Sequence, residues 1–111
     1  MNEYNRVKEL LIKYNIEPKK SFGQNFLIND GAIKKIISSF DYSLVDDIIE
    51  IGPGLGALTN HLITKNKNFY AIDSDKYMIQ ILNDMLDLNL VHLVQNDFLK
   101  TDINSFSSNK R

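Results

Sequence analysis

The sequence predicts an α/β fold of the Rossmann-like kind, an incomplete parallel sheet preceded by two short helices. Three features predict it. Runs rich in β-branched residues alternate with amphipathic helical runs, a glycine-rich turn at 52–56 follows the first β-type run, and aspartates follow the next two. Such alternation is typical of parallel strands joined by crossover helices. Ligands of these sheets bind at the carboxyl ends of the strands, where the glycines and aspartates fall.

The amino-terminal part of the chain predicts two amphipathic helices. Between residues 3 and 14, apolar side chains recur at the i, i+3, i+4, i+7 spacing of one helix face. Asn29 or Asp30 can cap a second helix, because their side chains accept hydrogen bonds from the first free N–H groups. The apolar positions of this second helix are Ile33, Ile36, Ile37 and Phe40.

A basic loop is predicted between these helices. Pro18 cannot continue the first helix, and residues 18–23 carry Lys19 and Lys20. Up to Lys35 the chain has seven basic and four acidic residues, whereas its formal net charge is −1. Bulk charge therefore does not indicate a polyanion-binding protein, and the basic surplus is confined to the amino-terminal part.

The rest of the chain predicts three strands and two helices. The strands are expected at residues 45–51, 69–72 and 90–94. The first intervening helix is expected at 57–65, and the second begins near Asp75.

Composition excludes several classes of protein. Apolar residues make up 43% and charged residues 24% of the 111 residues, which is ordinary for a globular domain and argues against disorder. The absence of cysteine removes disulfides and thiolate zinc sites, and His61 and His92 are isolated, so no metal site is predicted. No run approaches the roughly 20 apolar residues that span a bilayer, so we predict no membrane association and a cytoplasmic location.

The glycine-rich turn by itself is compatible with two cofactors. Gly52, Gly54 and Ala57 satisfy the G-x-G-x-x-A pattern of dinucleotide sites, and Gly56 adds a third glycine. Asp73 follows the second strand, where its carboxylate can bind both hydroxyls of an adenosine ribose in either cofactor. The alternative role, capping the next helix, suits Ser74 or Asp75 better. Asp73 therefore predicts a cofactor that contains adenosine, but does not distinguish a dinucleotide from S-adenosylmethionine.

Glu50 favours S-adenosylmethionine over a dinucleotide. It places an acid two residues before Gly52. A pyrophosphate would be repelled there, whereas an ammonium or sulfonium group would be attracted. The alternative is a strand carboxylate paired elsewhere in the fold.

Asp97 and Phe98 follow the third strand and are predicted to hold the adenine. The Asp97 carboxylate can accept a hydrogen bond from the adenine amino group, and Phe98 can pack beside the ring. The alternative is that Asn96 and Asp97 are simply a turn-forming pair.

Four segments resemble the ribosomal RNA adenine dimethyltransferase family, in its order and spacing. They read K-S-F-G-Q-N-F-L at 20–27, E-I-G-P-G-L-G-A-L-T at 50–59, I-D-S-D at 72–75 and Q-N-D-F-L at 95–99. The resemblance covers almost the whole chain. It implies a Rossmann-like S-adenosylmethionine-dependent methyltransferase fold that begins at residue 45, with residues 1–44 forming a helical segment that carries a substrate and cofactor loop.

The resemblance also implies roles for particular residues. Asn25 and Leu27 would contact the methionyl end of the cofactor together with the Gly52 backbone, and Asp97 would hold the adenine. The family usually has glutamate in place of Asp73, so the reach to the ribose would be shorter by one methylene. The lysines Lys19 and Lys20 resemble a flexible basic segment that lies near RNA.

The activity implied by the resemblance is dimethylation of two adjacent adenosines in 16S small-subunit ribosomal RNA during ribosome assembly. The family's catalytic N-L-P-Y-type motif is absent and would fall beyond Arg111, as would the carboxyl-terminal helical domain. We therefore expect cofactor binding, no catalytic residue in this chain and no methylation by the chain alone. The unfinished sheet would expose an edge, so self-association is also expected.

Three other functions remain open on the sequence. A macrolide-resistance methyltransferase that modifies one adenine in 23S ribosomal RNA shares the glycine loop, although the segment at 20–27 favours the small-subunit enzyme. A non-catalytic RNA-binding relative would suit the missing motif. An NAD oxidoreductase is disfavoured by Glu50.

Overall fold

The computed structural model describes residues 2–16, 29–102 and 104, and has the predicted α/β architecture. Helices and strands alternate after the first two helices, as the sequence predicts. In chain order the elements are α1 (Glu3–Lys13), α2 (Asp30–Ser38), β1 (Asp47–Ile51), α3 (Thr59–Leu62), β2 (Asn68–Asp73), α4 (Lys76–Met85) and β3 (His92–Gln95). Short 3₁₀ turns lie at Tyr42–Leu44, Ile63–Lys65 and Phe98–Lys100.

The sheet is parallel, with the order β1-β2-β3, which confirms the predicted topology. In its register, Glu50 of β1 lies opposite Ala71 of β2, and Ala71 lies opposite Leu93 of β3. Because all three strands run the same way, their carboxyl ends meet at one rim of the sheet.

Helices cover both faces of the sheet. Ala71 and Ile72 are adjacent in β2, so their side chains point to opposite faces, and both are fully buried. One core cluster joins Phe69 and Ala71 to side chains of α2 and α3. A second joins side chains of α1 and α4, including Val7, to Leu55 of the glycine loop. The loop is therefore anchored in the core.

Side-chain caps start the longer helices. Asn29 accepts a hydrogen bond from the Ala32 N–H at 3.0 Å, which confirms the first of the two predicted caps of α2. The Asp30 carboxylate instead accepts from the Glu3 N–H at 3.1 Å, so the amino ends of α1 and α2 are tied together.

Several boundaries differ from the sequence prediction; β3, for example, begins at His92 rather than Leu90, and α2 ends at Ser38 before Phe40. The helix expected at 57–65 is a single α-helical turn, α3, followed by 3₁₀ structure. Gly56 has a φ of +84°, which is incompatible with a right-handed helix, and Leu58 offers no side-chain cap. The first strand begins at Asp47 rather than Val45, because Asp41 accepts from the Ser43 N–H and holds a 3₁₀ turn before it.

Within the described sheet, β1 pairs with β2 alone, so its other side is a sheet edge. An apolar groove runs along this edge between β1, α2 and α3. Its lining includes Ile36, Phe40, Val45, Ile49 and Leu58. Phe40 and Val45 are exposed.

Candidate functional site

Backbone hydrogen bonds join the three strand ends into one rim. The Gly52 N–H donates to the Ile72 carbonyl at 2.8 Å, and the Asn96 N–H donates to the Asp73 carbonyl at 3.1 Å. The glycine loop and the residues after β2 and β3 are thereby brought together, as their positions at parallel strand ends predict.

The glycine loop takes a backbone path that favours glycine. Gly52, Gly54 and Gly56 have φ values of +68°, +56° and +84°. Among the described residues, a Cβ atom on Gly52 would have no other atom within 4 Å, whereas one on Gly56 would lie 3.4 Å from Leu82 Cδ2. Gly52 therefore faces open space at the rim, and Gly56 packs against α4.

Glu50 is held beneath this loop by Thr59. The Thr59 hydroxyl donates to Glu50 Oε1 at 2.6 Å, and Thr59 is completely buried. Burial raises the pKa of Glu50 to about 7; the nearby Asp73 charge also raises it, and the Thr59 hydrogen bond lowers it. Within the part of the chain that the structure describes, the partner of Glu50 is thus a hydroxyl rather than a basic side chain.

Asp73 lies beside the loop and is linked to it. Its carboxylate accepts hydrogen bonds from the Asp75 N–H at 2.9 Å and from the Gly54 N–H. Burial raises the pKa of Asp73, and these backbone hydrogen bonds oppose the rise. The cap of α4 is Asp75, which accepts from two N–H groups of its first turn. As the sequence suggested, capping does not require Asp73.

Asp97 lies at the other end of the rim and is exposed. Its Oδ1 accepts from the Leu99 N–H at 3.0 Å, and Asn96 Oδ1 accepts from the Asp97 N–H at 2.9 Å. The Asn-Asp pair therefore forms a turn, and the adenine-binding role of Asp97 stays a prediction. This turn engages Oδ1 of Asp97. Phe98, the next residue, is partly buried.

The remaining predicted site residues, Lys19, Lys20, Asn25 and Leu27, lie outside the described residues. Among the residues that the structure does describe, no group of three or more His, Asp or Glu side chains could hold a metal ion. In that same part of the chain, no helix is long and apolar enough to cross a membrane.

Sequence reasoning missed Thr59. In the sequence it is the last residue of the 50–59 segment, and no pattern there assigns it a role. Its hydroxyl nevertheless donates a hydrogen bond to Glu50, the residue that favours S-adenosylmethionine over a dinucleotide. The signal was a polar residue on the apolar side of a predicted helix. That signal is weak, because threonine packs in helices without any ligand role.

Comparison with known proteins identifies the family. The family model described as "Ribosomal RNA adenine dimethylase" matches residues 15–111. The chain belongs to this family. Membership agrees with the resemblance noted in the four segments.

Curated members of the family are similar over nearly the whole chain. The ribosomal RNA small subunit methyltransferase A of Clostridioides difficile is 40% identical over 111 residues, covering 99% of this chain and 38% of that protein. The protein of the same name in Natranaerobius thermophilus is 42% identical over 97 residues, covering 86% of this chain and 32% of that protein. The chain thus spans about a third of the length of these relatives.

Proposed function

We propose that the rim site of this chain binds S-adenosylmethionine, as part of an enzyme that dimethylates adenosines in ribosomal RNA. One observation carries the proposal: a partly buried acid, Glu50, lies two residues before Gly52, whose α-carbon faces open space. A ligand can approach the backbone closely there. The ionised glutamate attracts a positive charge on the ligand, which suits the methionyl end of this cofactor and not a pyrophosphate.

The other rim residues can bind the ribose and the adenine of the cofactor. Asp73 already accepts two N–H groups, but a carboxylate offers about four acceptor positions, so the ribose hydroxyls can still donate to it. Asp97 uses Oδ1 in its turn, which leaves Oδ2 for the adenine amino group. Phe98 supplies an apolar surface beside that position, and Asn25 and Leu27 are proposed to complete the methionyl end.

The proposed substrate is a pair of adjacent adenosines in small-subunit ribosomal RNA, which would be met in the cytoplasm. The names of the relatives, ribosomal RNA small subunit methyltransferase A, support this choice over the large-subunit alternative. When bound, S-adenosylmethionine supplies an activated methyl group. The residues of this chain bind and orient it, and Lys19 and Lys20 are proposed to contact RNA phosphates. Because the chain spans about 38% of its relatives, methyl transfer is proposed for the whole protein.

Calorimetric titration of the purified chain tests the cofactor assignment. We expect saturable binding of S-adenosylmethionine and none of NAD. Asp97→Ala should weaken binding roughly ten-fold, because one hydrogen bond to a charged group is lost. Asp87→Ala is the matched control, since Asp87 is also exposed and also accepts from the N–H two residues later.

Two results would overturn the assignment. One is the absence of S-adenosylmethionine binding by a chain that circular dichroism shows to be folded. The other is equal weakening by Asp97→Ala and Asp87→Ala, which would mean that turn stability rather than adenine contact controls affinity.

A further inference from the structure

Thr59 joins the two ends of the glycine loop through a single side-chain hydrogen bond. Glu50 is the next-to-last residue of β1, and Thr59 is the first residue of α3. The 2.6 Å contact between the Thr59 hydroxyl and Glu50 Oε1 therefore closes the chain segment that contains all three loop glycines. Thr59 also lies directly beside Gly56, since a Cβ on Gly56 would be 3.7 Å from the Thr59 Cβ.

The surroundings of Glu50 make this hydroxyl important for its charge. The neighbouring groove is lined by the apolar side chains of Ile37 in α2, Leu62 in α3 and Leu58 just before α3. Among the described residues, Asp73 is the charged side chain that acts on Glu50, and it is of like sign. Burial and Asp73 both favour the neutral carboxyl group. The Thr59 hydroxyl opposes them, because a donor stabilises the ionised form.

We propose that Thr59 is a positioning residue for cofactor binding, which holds Glu50 ionised and fixed through Oε1 so that Oε2 can pair with the cationic methionyl end. This inference rests on the proposed function, since it assumes that the rim binds S-adenosylmethionine. In this proposal, the Thr59 hydroxyl keeps the Glu50 carboxylate ionised where burial and the Asp73 charge favour its protonation. Thr59 itself does not touch the cofactor.

The test compares Thr59→Val, Thr59→Ser and the parent chain in S-adenosylmethionine titrations between about pH 6 and pH 9. In the parent, affinity should rise with pH as Glu50 ionises. Thr59→Val should weaken binding roughly ten-fold near pH 7 and move the pH of half-maximal affinity upward by about one unit, because a hydrogen bond to the charged form is lost. Thr59→Ser keeps the donor and should restore the parent profile.

Thr64→Val is the matched control. The Thr64 hydroxyl also donates a hydrogen bond, to the His61 carbonyl at 2.7 Å, but on the exposed side of the same region. Thr64→Val should leave both the affinity for S-adenosylmethionine and its pH profile unchanged. Circular dichroism establishes that each variant is folded, and Thr59→Ala replaces Thr59→Val if the latter does not fold.

A carbon-13 NMR titration of the Glu50 carboxyl gives an independent measurement in the unliganded chain. Its pKa should be higher in the variant without the hydroxyl than in the parent or Thr59→Ser. If the parent binds S-adenosylmethionine but the pH profile and the Glu50 pKa do not move when the hydroxyl is removed, the role of Thr59 is overturned. If the folded parent does not bind at all, the proposed function itself fails.

Discussion

The acidic residues at the two ends of the rim are in opposite physical settings. Glu50, near the carboxyl end of β1, accepts a hydrogen bond from a buried hydroxyl, and burial raises its pKa to about 7. Asp97, after β3, is exposed and bonded to the backbone two residues later. The β1 end is therefore built into the core, whereas the β3 end is a local turn. Substitutions of Glu50 should change both the stability of the fold and the affinity for the cofactor. Substitutions of Asp97 should change the affinity alone.

The largest effect expected from this difference is a pH dependence of stability. The pKa of Glu50 is raised from 4.5 to about 7 on folding, so between these values the folded chain binds a proton that the unfolded chain has released. The contribution of this proton to the free energy of unfolding is fully present below the pKa of the unfolded chain. It is lost as the pH rises through the pKa of the folded chain, and the total loss is up to about 3 kcal/mol. The raised pKa of Asp73 acts in the same direction.

Urea unfolding of the unliganded chain at pH 5 and pH 7.5 measures this loss. Glu50→Gln should remove most of it, since glutamine has no proton to lose. A parent chain whose stability rises over this pH range would contradict the buried setting of Glu50.

Glu50→Gln should also act on stability and on binding in opposite directions. We expect S-adenosylmethionine affinity to fall roughly 100-fold near pH 8, because a cation loses its buried partner. The unliganded variant should nevertheless be at least as stable as the parent at that pH, because a buried charge has been removed. Calorimetry and thermal unfolding measure the two quantities, and an unchanged affinity would remove Glu50 from the site.

The glycine loop provides a second comparison within the β1 end. Gly52→Ala and Gly56→Ala should each cost about 1–2 kcal/mol of stability, because both positions have positive φ. Only Gly52→Ala should also impair cofactor binding, since its new Cβ would enter the open space at the rim. The affinity for S-adenosylmethionine, measured under conditions where both variants are folded, checks this prediction. An equal loss of affinity in both variants would mean that loop geometry alone is responsible.

The smallest expected effect concerns the edge of β1. We expect this edge, with its apolar groove, to favour self-association of the chain at high concentration. Val45→Lys should weaken it a few-fold in sedimentation experiments. Leu90→Lys is the matched control, because Leu90 is also exposed and also lies two residues before its strand, at the β3 side of the sheet. Equal effects from both would exclude the β1 edge as the contact.

Much of the fold could be predicted because it depends on local patterns. The periodicity of α1, α2 and α4 and the caps at Asn29 and Asp75 are properties of neighbouring residues. The shortening of α3 was not predicted, because it follows from the positive φ of Gly56. That conformation is not apparent from helix propensity and depends on how the loop packs against α4.

The sequence by itself determined the order of strands and helices and the placement of Glu50, Gly52, Asp73 and Asp97 at strand ends. These follow from hydrophobic periodicity and from the parallel direction that helical crossovers between strands give. Only the tertiary structure decided that Thr59 reaches Glu50, that burial raises the pKa of that carboxyl, and that Gly52 faces open space while Gly56 faces Leu82. The reason is that pKa and free space depend on surroundings supplied by residues distant in the chain, which no local pattern records.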